Sequence, residues 1–298
     1  MAERLIGIDV GGTKMLGVAV ERHRTSQVVA QVLLPTPTTA EGVVEGLVGL
    51  AADLGVQDHL GLGLAGLVEN GSILRAAPNL QCMIDVPVRD LLVDRLGVEV
   101  RVDNDATCAL AAEMTLGVAR DAADVVLVTM GTGIGGGVAI GGRIARGAHG
   151  FAGEPGHMCV DPDGPICVCG RRGCWERFAS GAGLMWMAEQ RGLVGADGSP
   201  LGGEALAVLA RGGEPEALEV WGEFSLWLAR GLAGLADILD PELLVLGGGL
   251  ISSADLFLDR TRELFSGEVL GGVARHRTRI EPARCGPAAG AIGAALLH

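Results

Sequence analysis

A short apolar strand, a glycine-rich turn and a second strand occur twice in this chain, and that repetition constrains its fold more than any other feature. The first copy runs Leu5-Ile6-Gly7-Ile8-Asp9-Val10, then Gly11-Gly12-Thr13-Lys14, then Met15 to Val20. The second runs Val125 to Met130, then Gly131-Thr132-Gly133-Ile134-Gly135-Gly136, then Gly137 to Ile140. Each unit predicts a hairpin whose tip offers backbone N–H groups to an anion. The first lacks the second glycine and the Lys-Ser/Thr of a Walker motif, and no helix follows it, so it is not a P-loop. Asp9 closes the first strand, where a carboxylate would hold Mg²⁺ through water beside a nucleotide phosphate. Lys14 reads either as a neutraliser of phosphate charge or as a solvated turn residue. Two related units predict two lobes, each aiming a phosphate-binding hairpin at a shared cleft; two unrelated glycine hairpins are the plainer alternative.

The second notable feature is a cysteine cluster. Cys167, Cys169 and Cys174 lie close together in C-V-C-G-R-R-G-C-W-E, and His157 precedes them in G-E-P-G-H. Three thiolates and one imidazole complete a tetrahedral zinc shell with no open position, and a closed shell is structural rather than catalytic. Gly170 and Gly173 let the backbone fold around the ion. Ordinary thiols or a disulfide pair are the alternative reading.

Between the hairpins, Ala40 to Leu54 carries apolar residues at helical spacing and Val88 to Leu96 reads as a second helix. A glycine-interrupted strand from Leu60 to Leu67 ends in Ala65-Gly66-Leu67-Val68, which would bring the backbone at Gly66 near a ligand. Asn79, in Ala77-Pro78-Asn79-Leu80, offers donor and acceptor to a sugar hydroxyl or simply forms a turn. The strand Val98 to Val102 leads into Asp103-Asn104-Asp105-Ala106, and a helix follows from Thr107 to Leu116. These polar residues at a strand-to-helix junction suit helix caps. They also suit catalysis, with Asp105 as the base that accepts a proton from an attacking hydroxyl and Asn104 holding its neighbour; phosphoryl transfer needs little beyond positioning, charge neutralisation and such a base. Further on, Phe178 to Arg191 reads as a helix, and Glu216 to Ile238 as a long amphipathic one whose Trp221, Phe224 and Trp227 serve packing. After the strand Pro241 to Leu246, Gly247-Gly248-Gly249 would let an adenosine approach the backbone closely. Gly286 to Leu297 reads as the final helix.

Composition excludes several classes. With 298 residues and 49% of them hydrophobic, the chain can bury one large core or two moderate ones, and two lobes are favoured. A net charge of −13 speaks against nucleic acid and anionic membranes as partners. No apolar run approaches the roughly 20 residues that span a bilayer, no signal peptide is seen, and clustered thiols suit a reducing compartment, so a cytoplasmic location is expected.

The paired hairpins resemble those of the actin, Hsp70 and hexokinase superfamily. Within it, the chain resembles the ROK family, named for repressors, open reading frames and kinases, and its bacterial glucokinases. The resemblance rests on Asp9 to Lys14, Pro78-Asn79-Leu80, Asn104-Asp105-Ala106, Gly131 to Gly137, Gly153-Glu154-Pro155-Gly156-His157, the cysteine cluster ending in Glu176, and Asp240-Pro241 leading to Leu246-Gly247-Gly248-Gly249. It implies an α/β two-lobed fold, with residues 1–116 and 287–298 in a small lobe and 117–286 in a large, zinc-bearing one. It implies ATP- and Mg²⁺-dependent phosphorylation of glucose at its 6-hydroxyl, with Asp105 as base and with Asn79, Asn104, Asp105, Glu154, His157 and Glu176 on the hydroxyls of a pyranose. The turns Gly11-Gly12-Thr13-Lys14 and Gly131-Thr132-Gly133 would hold the phosphates. His157 would place one ring nitrogen on structural Zn²⁺ and the other toward sugar. Polyphosphate-using relatives generally lack the cysteine cluster, which favours ATP as donor. Kinases of mannose, fructose, allose, N-acetylglucosamine or N-acetylmannosamine are the alternatives, and a non-catalytic sugar sensor a more remote one. A homodimer or homotetramer is implied. Thr107 and the Gln81-Cys82-Met83 loop depart from the family pattern; the latter flanks Asn79 and bears on sugar preference.

Overall fold

The computed structural model describes residues 4–21, 24–272 and 277–297, with backbone alone for 24–27. The first hairpin forms as the sequence predicts. Strands β1 (Arg4–Val10) and β2 (Lys14–Glu21) pair antiparallel with Asp9 opposite Leu16. The turn is closed by the Gly11 N–H donating to the Lys14 carbonyl at 3.0 Å. A long third strand, β3 (Arg24–Pro35), follows and was not anticipated; it is an edge strand with exposed Leu33, so no clean buried face marks it in the sequence.

Helix α1 (Ala40–Leu54) has the expected limits. Thr39 Oγ1 accepts from the Gly42 N–H at 3.2 Å, and Gly55 ends the helix at φ 76°. Its buried face, Val43, Val44, Leu47, Leu50, Ala51 and Leu54, follows the 3.6-residue period. Strand β4 (His59–Leu64) runs parallel to β1, then come a small hairpin of β5 (Leu67–Glu69) and β6 (Ile73–Ala76) and helix α2 (Val88–Leu96). Strand β7 (Glu99–Asn104) lies parallel to β4 and passes directly into α3 (Asp105–Thr115), so this helix begins two residues before the predicted Thr107. The sheet order is β3-β2-β1-β4-β7.

The second set of strands repeats that order. β8 (Val125–Met130), β9 (Ile134–Ile140), β10 (Arg143–Ile144), β11 (Leu243–Gly247) and β12 (Arg279–Pro282) are arranged β10-β9-β8-β11-β12. In both sheets the strands, counted along the chain, run third, second, first, fourth, fifth, and the fourth and fifth are parallel to the first. The echo heard in the two glycine hairpins is therefore an echo of whole sheets. The second turn is tighter than expected, since Ile134 already belongs to β9.

The helices of the later chain are α4 (Gly181–Gln190), α5 (Gly203–Arg211), α6 (Pro215–Leu239), α7 (Ala254–Glu268) and α8 (Ala289–Ala295). The aromatic stripe of α6 packs as predicted: Trp221 and Phe224 are buried, and Phe257 of α7 lies against them, its ring centroid 5.9 Å from that of Trp221. α5, α7 and β12 were not read from the sequence. The final helix is shorter than predicted because Gly286–Ala288 form a 3-10 turn ahead of it.

Contacts divide the chain into two units: residues 1–123, 137–153 and 284–298 in one, and 124–136 with 154–283 in the other. In the first, α8 lies directly on the sheet backbone. A Cβ on Gly7 would sit 2.0 Å from the Ala291 carbonyl oxygen, and one on Gly61 would sit 1.7 Å from that of Ala294, so only glycine permits this helix-on-strand contact. Among the described residues no helix is long and apolar enough to cross a membrane.

Candidate active site

The first unit gathers the candidate base, the candidate Mg²⁺ ligand and two amides. Asp105 is the first residue of α3, and its Oδ1 accepts from the Ala106 N–H at 2.9 Å. Burial pushes its carboxyl up to about 6, against an ordinary 3.8. Asp9, at the end of β1, is pushed up to about 7, first by burial and then by the charge of Asp105, with Lys14 opposing. The charge of Asp105 thus helps to raise Asp9, and both carboxyls lie between the acid and neutral range where a general base works best. The two lie on the strand that feeds the first glycine turn and on the helix that β7 feeds.

Asn104 takes the capping role its position suggested. Its Oδ1 caps α3 by accepting from the Thr107 N–H at 2.9 Å, and its Nδ2 donates to the Gly66 carbonyl at 3.1 Å. The amide is held at both ends, and its side chain also hydrogen-bonds Asp105, which opposes the rise of that carboxyl. Gly66, at φ 137°, sits where a Cβ would come within 2.2 Å of the Ala76 carbonyl oxygen. Asn79 lies against the hairpin tip: a Cβ on Gly12 would be 2.6 Å from the Asn79 Cβ. Thr13 and Lys14 are exposed on the same tip. The sequence reading missed Arg146, whose Nε donates to the buried Asp103 carboxylate at 2.7 Å, while Asp103 Oδ1 accepts from the Asn104 N–H at 2.9 Å. It also missed Glu113, a fully buried carboxylate in α3. Glu113 Oε1 accepts from the N–H groups of Arg284 and Cys285 at 2.8 and 2.6 Å, and Oε2 accepts from Val118 at 2.9 Å.

The second unit carries the metal-ligand cluster. The candidate ligand atoms of His157, Cys167, Cys169 and Cys174 all lie within 4.8 Å of one another. The Cys169 and Cys174 sulfurs are 3.6 Å apart, and His157 Nδ1 is 3.7 Å from Cys167 Sγ. Sulfurs bound tetrahedrally at about 2.3 Å would be separated by about 3.8 Å, so the donor set fits zinc in type, number and spacing. Gly170 (φ 85°) and Gly173 (φ 65°) make the left-handed turns that bring the thiols together. Because Nδ1 faces the cluster, Nε2 is the nitrogen left for another partner. Glu176 Oε1 accepts from Cys167 Sγ at 2.8 Å and lies 3.7 Å from His157 Nδ1. Glu154 precedes the 3-10 turn Pro155–His157.

Two glycine turns meet the same end of parallel neighbours here. Gly131-Thr132-Gly133 follows β8, and Gly247-Gly248-Gly249 closes β11, with Gly247 opposite Thr129. At φ 84°, Gly248 comes so close that a Cβ would lie 2.4 Å from the Met130 carbonyl oxygen. Ligands of open α/β sheets bind at such carboxyl ends.

Comparison with known proteins agrees with this geometry. Residues 5–298 match the model of the ROK family. A glucokinase of Streptomyces coelicolor is 36% identical over 308 residues, covering 98% of this chain and 96% of the relative. An N-acetyl-D-glucosamine kinase of Pectobacterium atrosepticum is 36% identical over 316 residues, covering 98% of each. Among solved structures, a ROK family glucokinase from Streptomyces griseus in complex with glucose and AMPPNP superposes with a TM-score of 0.86 at 35% identity, covering 98% of both chains. The fold is thus that of a hexokinase-like phosphotransferase. The chain belongs to the ROK family, among its sugar kinases.

Proposed function

We propose that this protein is a glucokinase, transferring the γ-phosphoryl group of ATP to the 6-hydroxyl of glucose. The observation that carries the reading is Asp105: a carboxyl fixed at a helix start and raised by burial to about 6, whose charge helps to raise Asp9 beside a glycine turn. In this role Asp105 accepts the 6-hydroxyl proton as that oxygen attacks the γ-phosphorus and the bond to the β-phosphate oxygen breaks, giving glucose 6-phosphate and ADP. Asn79, Asn104, Glu154, His157 and Glu176 would hold the remaining hydroxyls, with the Gly66 backbone, which accepts from Asn104, as a further contact. The turns Gly11 to Lys14 and Gly131 to Gly133 hold the phosphates, and Gly247 to Gly249 receive the adenosine. Asp9 holds Mg²⁺, which when bound neutralises charge developing on the phosphates. His157, Cys167, Cys169 and Cys174 hold zinc, which when bound is structural and fixes His157 and Glu176.

A second reading, an N-acetylhexosamine kinase, is favoured by the equal identity to the N-acetyl-D-glucosamine kinase. The deciding experiment is a panel of glucose, mannose, fructose, allose, N-acetylglucosamine and N-acetylmannosamine with ATP and Mg²⁺, beside a polyphosphate reaction. Preference for glucose with ATP is expected; preference for an N-acetyl sugar would replace this reading with the second. Asp105→Ala should abolish turnover while sugar binding stays detectable, and retained turnover would remove Asp105 as base.

A further inference from the structure

The segment that leaves the cysteine cluster does more than present Glu176. Trp175 is fully buried between Cys174 and Glu176, and its backbone N–H donates to the carbonyl of Met158, the neighbour of His157, at 2.8 Å. Its indole Nε1 donates to the Trp227 carbonyl in α6 at 2.8 Å. The ring lies flat over Gly231, where a Cβ would fall 1.9 Å from Cε2 and 2.3 Å from Nε1. One turn on, the Phe178 ring stacks on Trp227 with centroids 4.2 Å apart.

The same segment then reaches the glycine turn after β8. The buried Ser180 donates through Oγ to the Glu176 carbonyl at 2.5 Å and caps α4 by accepting from the Gly183 N–H. The Gly181 and Ala182 N–H groups donate to the carbonyls of Gly131 and Thr132 at 2.8 and 3.2 Å. Glu176 Oε2 rests against the same turn, 3.4 Å from the Ile134 nitrogen, and a Cβ on Gly133 would strike it at 2.4 Å. One strut, Cys174 to Ala182, therefore carries a metal-ligand candidate and a sugar-binding candidate and touches a phosphate-binding candidate, and it is seated on α6 at Trp227 and Gly231.

We propose that Trp175 and Gly231 are positioning residues for both substrates: the flat seat on α6 sets the Cys174–Ala182 strut, and the strut registers the metal cluster and Glu176 with the Gly131–Gly133 turn. The proposal rests on the kinase reading of those residues. An indole is rigid and has nowhere to bend, so in Gly231→Ala the ring must retreat by about 1.5 Å to regain normal contact. That shift carries Cys174 and Glu176 with it at one end and the hydrogen bonds to Gly131 and Thr132 at the other.

The test is equilibrium binding, independent of turnover. Affinities for glucose (or the hexose preferred in the panel) and for a non-hydrolysable ATP analogue are measured on Gly231→Ala and Trp175→Phe, together with the rate of metal loss to a chelator. Gly222→Ala and Gly234→Ala, on the same helix with open space at the Cβ position, serve as controls. The expected result is a tenfold or greater loss of affinity for both ligands and faster metal release in Gly231→Ala, a smaller change of the same kind in Trp175→Phe, and less than a twofold change in the controls. Trp175→Phe carries the test should Gly231→Ala not fold. Wild-type affinity for both ligands in the variants would overturn the proposal, and so would a loss confined to sugar. Wild-type protein that bound neither ligand would overturn the kinase reading along with it, whereas intact wild-type binding with unchanged variants would overturn this proposal alone.

Discussion

Lowering the pH should silence this enzyme in two separable steps, because Asp9 and Asp105 are raised to different values and the proposed function gives them different work. With Asp105 near 6, the ionised fraction of the base falls from about nine-tenths at pH 7 to about one-tenth at pH 5, so kcat/KM at saturating Mg²⁺ should drop about tenfold across that interval. With Asp9 near 7, its ionised fraction falls by the same factor between pH 8 and pH 6, so the Mg²⁺ concentration for half-maximal rate should rise about tenfold there. Added Mg²⁺ would rescue the higher step and leave the lower one untouched. Asp105→Asn removes the like charge that helps to raise Asp9, so metal binding, measured by calorimetry, should persist to lower pH in that variant. The stability consequence has the opposite sign from the usual acid case. Both carboxyls bind protons more tightly folded than unfolded, so their contribution is most favourable below about pH 4 and is lost as pH rises through 6 and 7. Asp9→Asn should therefore stabilise the protein at pH 8, by about 2–4 kcal/mol from the size of the shift, while raising the Mg²⁺ requirement. Kinetics flat from pH 7 to pH 5, or an Asp9→Asn protein less stable than wild type at pH 8, would refute the reasoning.

Two further expectations follow from the buried polar groups. Glu113→Gln replaces one acceptor oxygen by a donor that must face a backbone N–H, so one of three buried bonds is lost to repulsion; about 2–3 kcal/mol of stability should go, read as a lower midpoint in urea with unchanged slope. A midpoint equal to wild type would show that water satisfies these groups. Cys169→Ser should lower metal content below one ion per chain by elemental analysis and weaken sugar binding, and full metal retention would remove Cys169 from the ligand set.

Much of the candidate site was legible because its chemistry is local. Asp105 follows a strand and opens a helix within a few residues, and the glycine turns lie between strands that identify themselves by apolar runs. The cysteine spacing sets the thiols within one loop, and the structure brings those of Cys169 and Cys174 to 3.6 Å from each other. The capping role of Asn104 was visible too, since an amide at a strand-to-helix junction suits a cap. Arg146 was not visible, because its partner Asp103 is 43 residues away and an arginine in a glycine loop carries no signal of its own. Glu113 was hidden more deeply, as a polar residue in an ordinary helix whose partners arrive from 171 and 172 residues later.

The sequence by itself determined the class of chemistry and the duplicated architecture. Glycine turns, a carboxylate at a helix start and a thiol-imidazole set are defined by residue type and short spacing, which chain connectivity enforces before any packing occurs. Only the tertiary structure decided which glycines are seats for other groups. Gly7 and Gly61 matter because α8 lies on them, and Gly231 because an indole does, while Gly222 on the same helix faces open space. A missing side chain gives no hint of what will fill its place; that is set by surfaces brought together from distant parts of the chain, where close packing makes a single Cβ decisive.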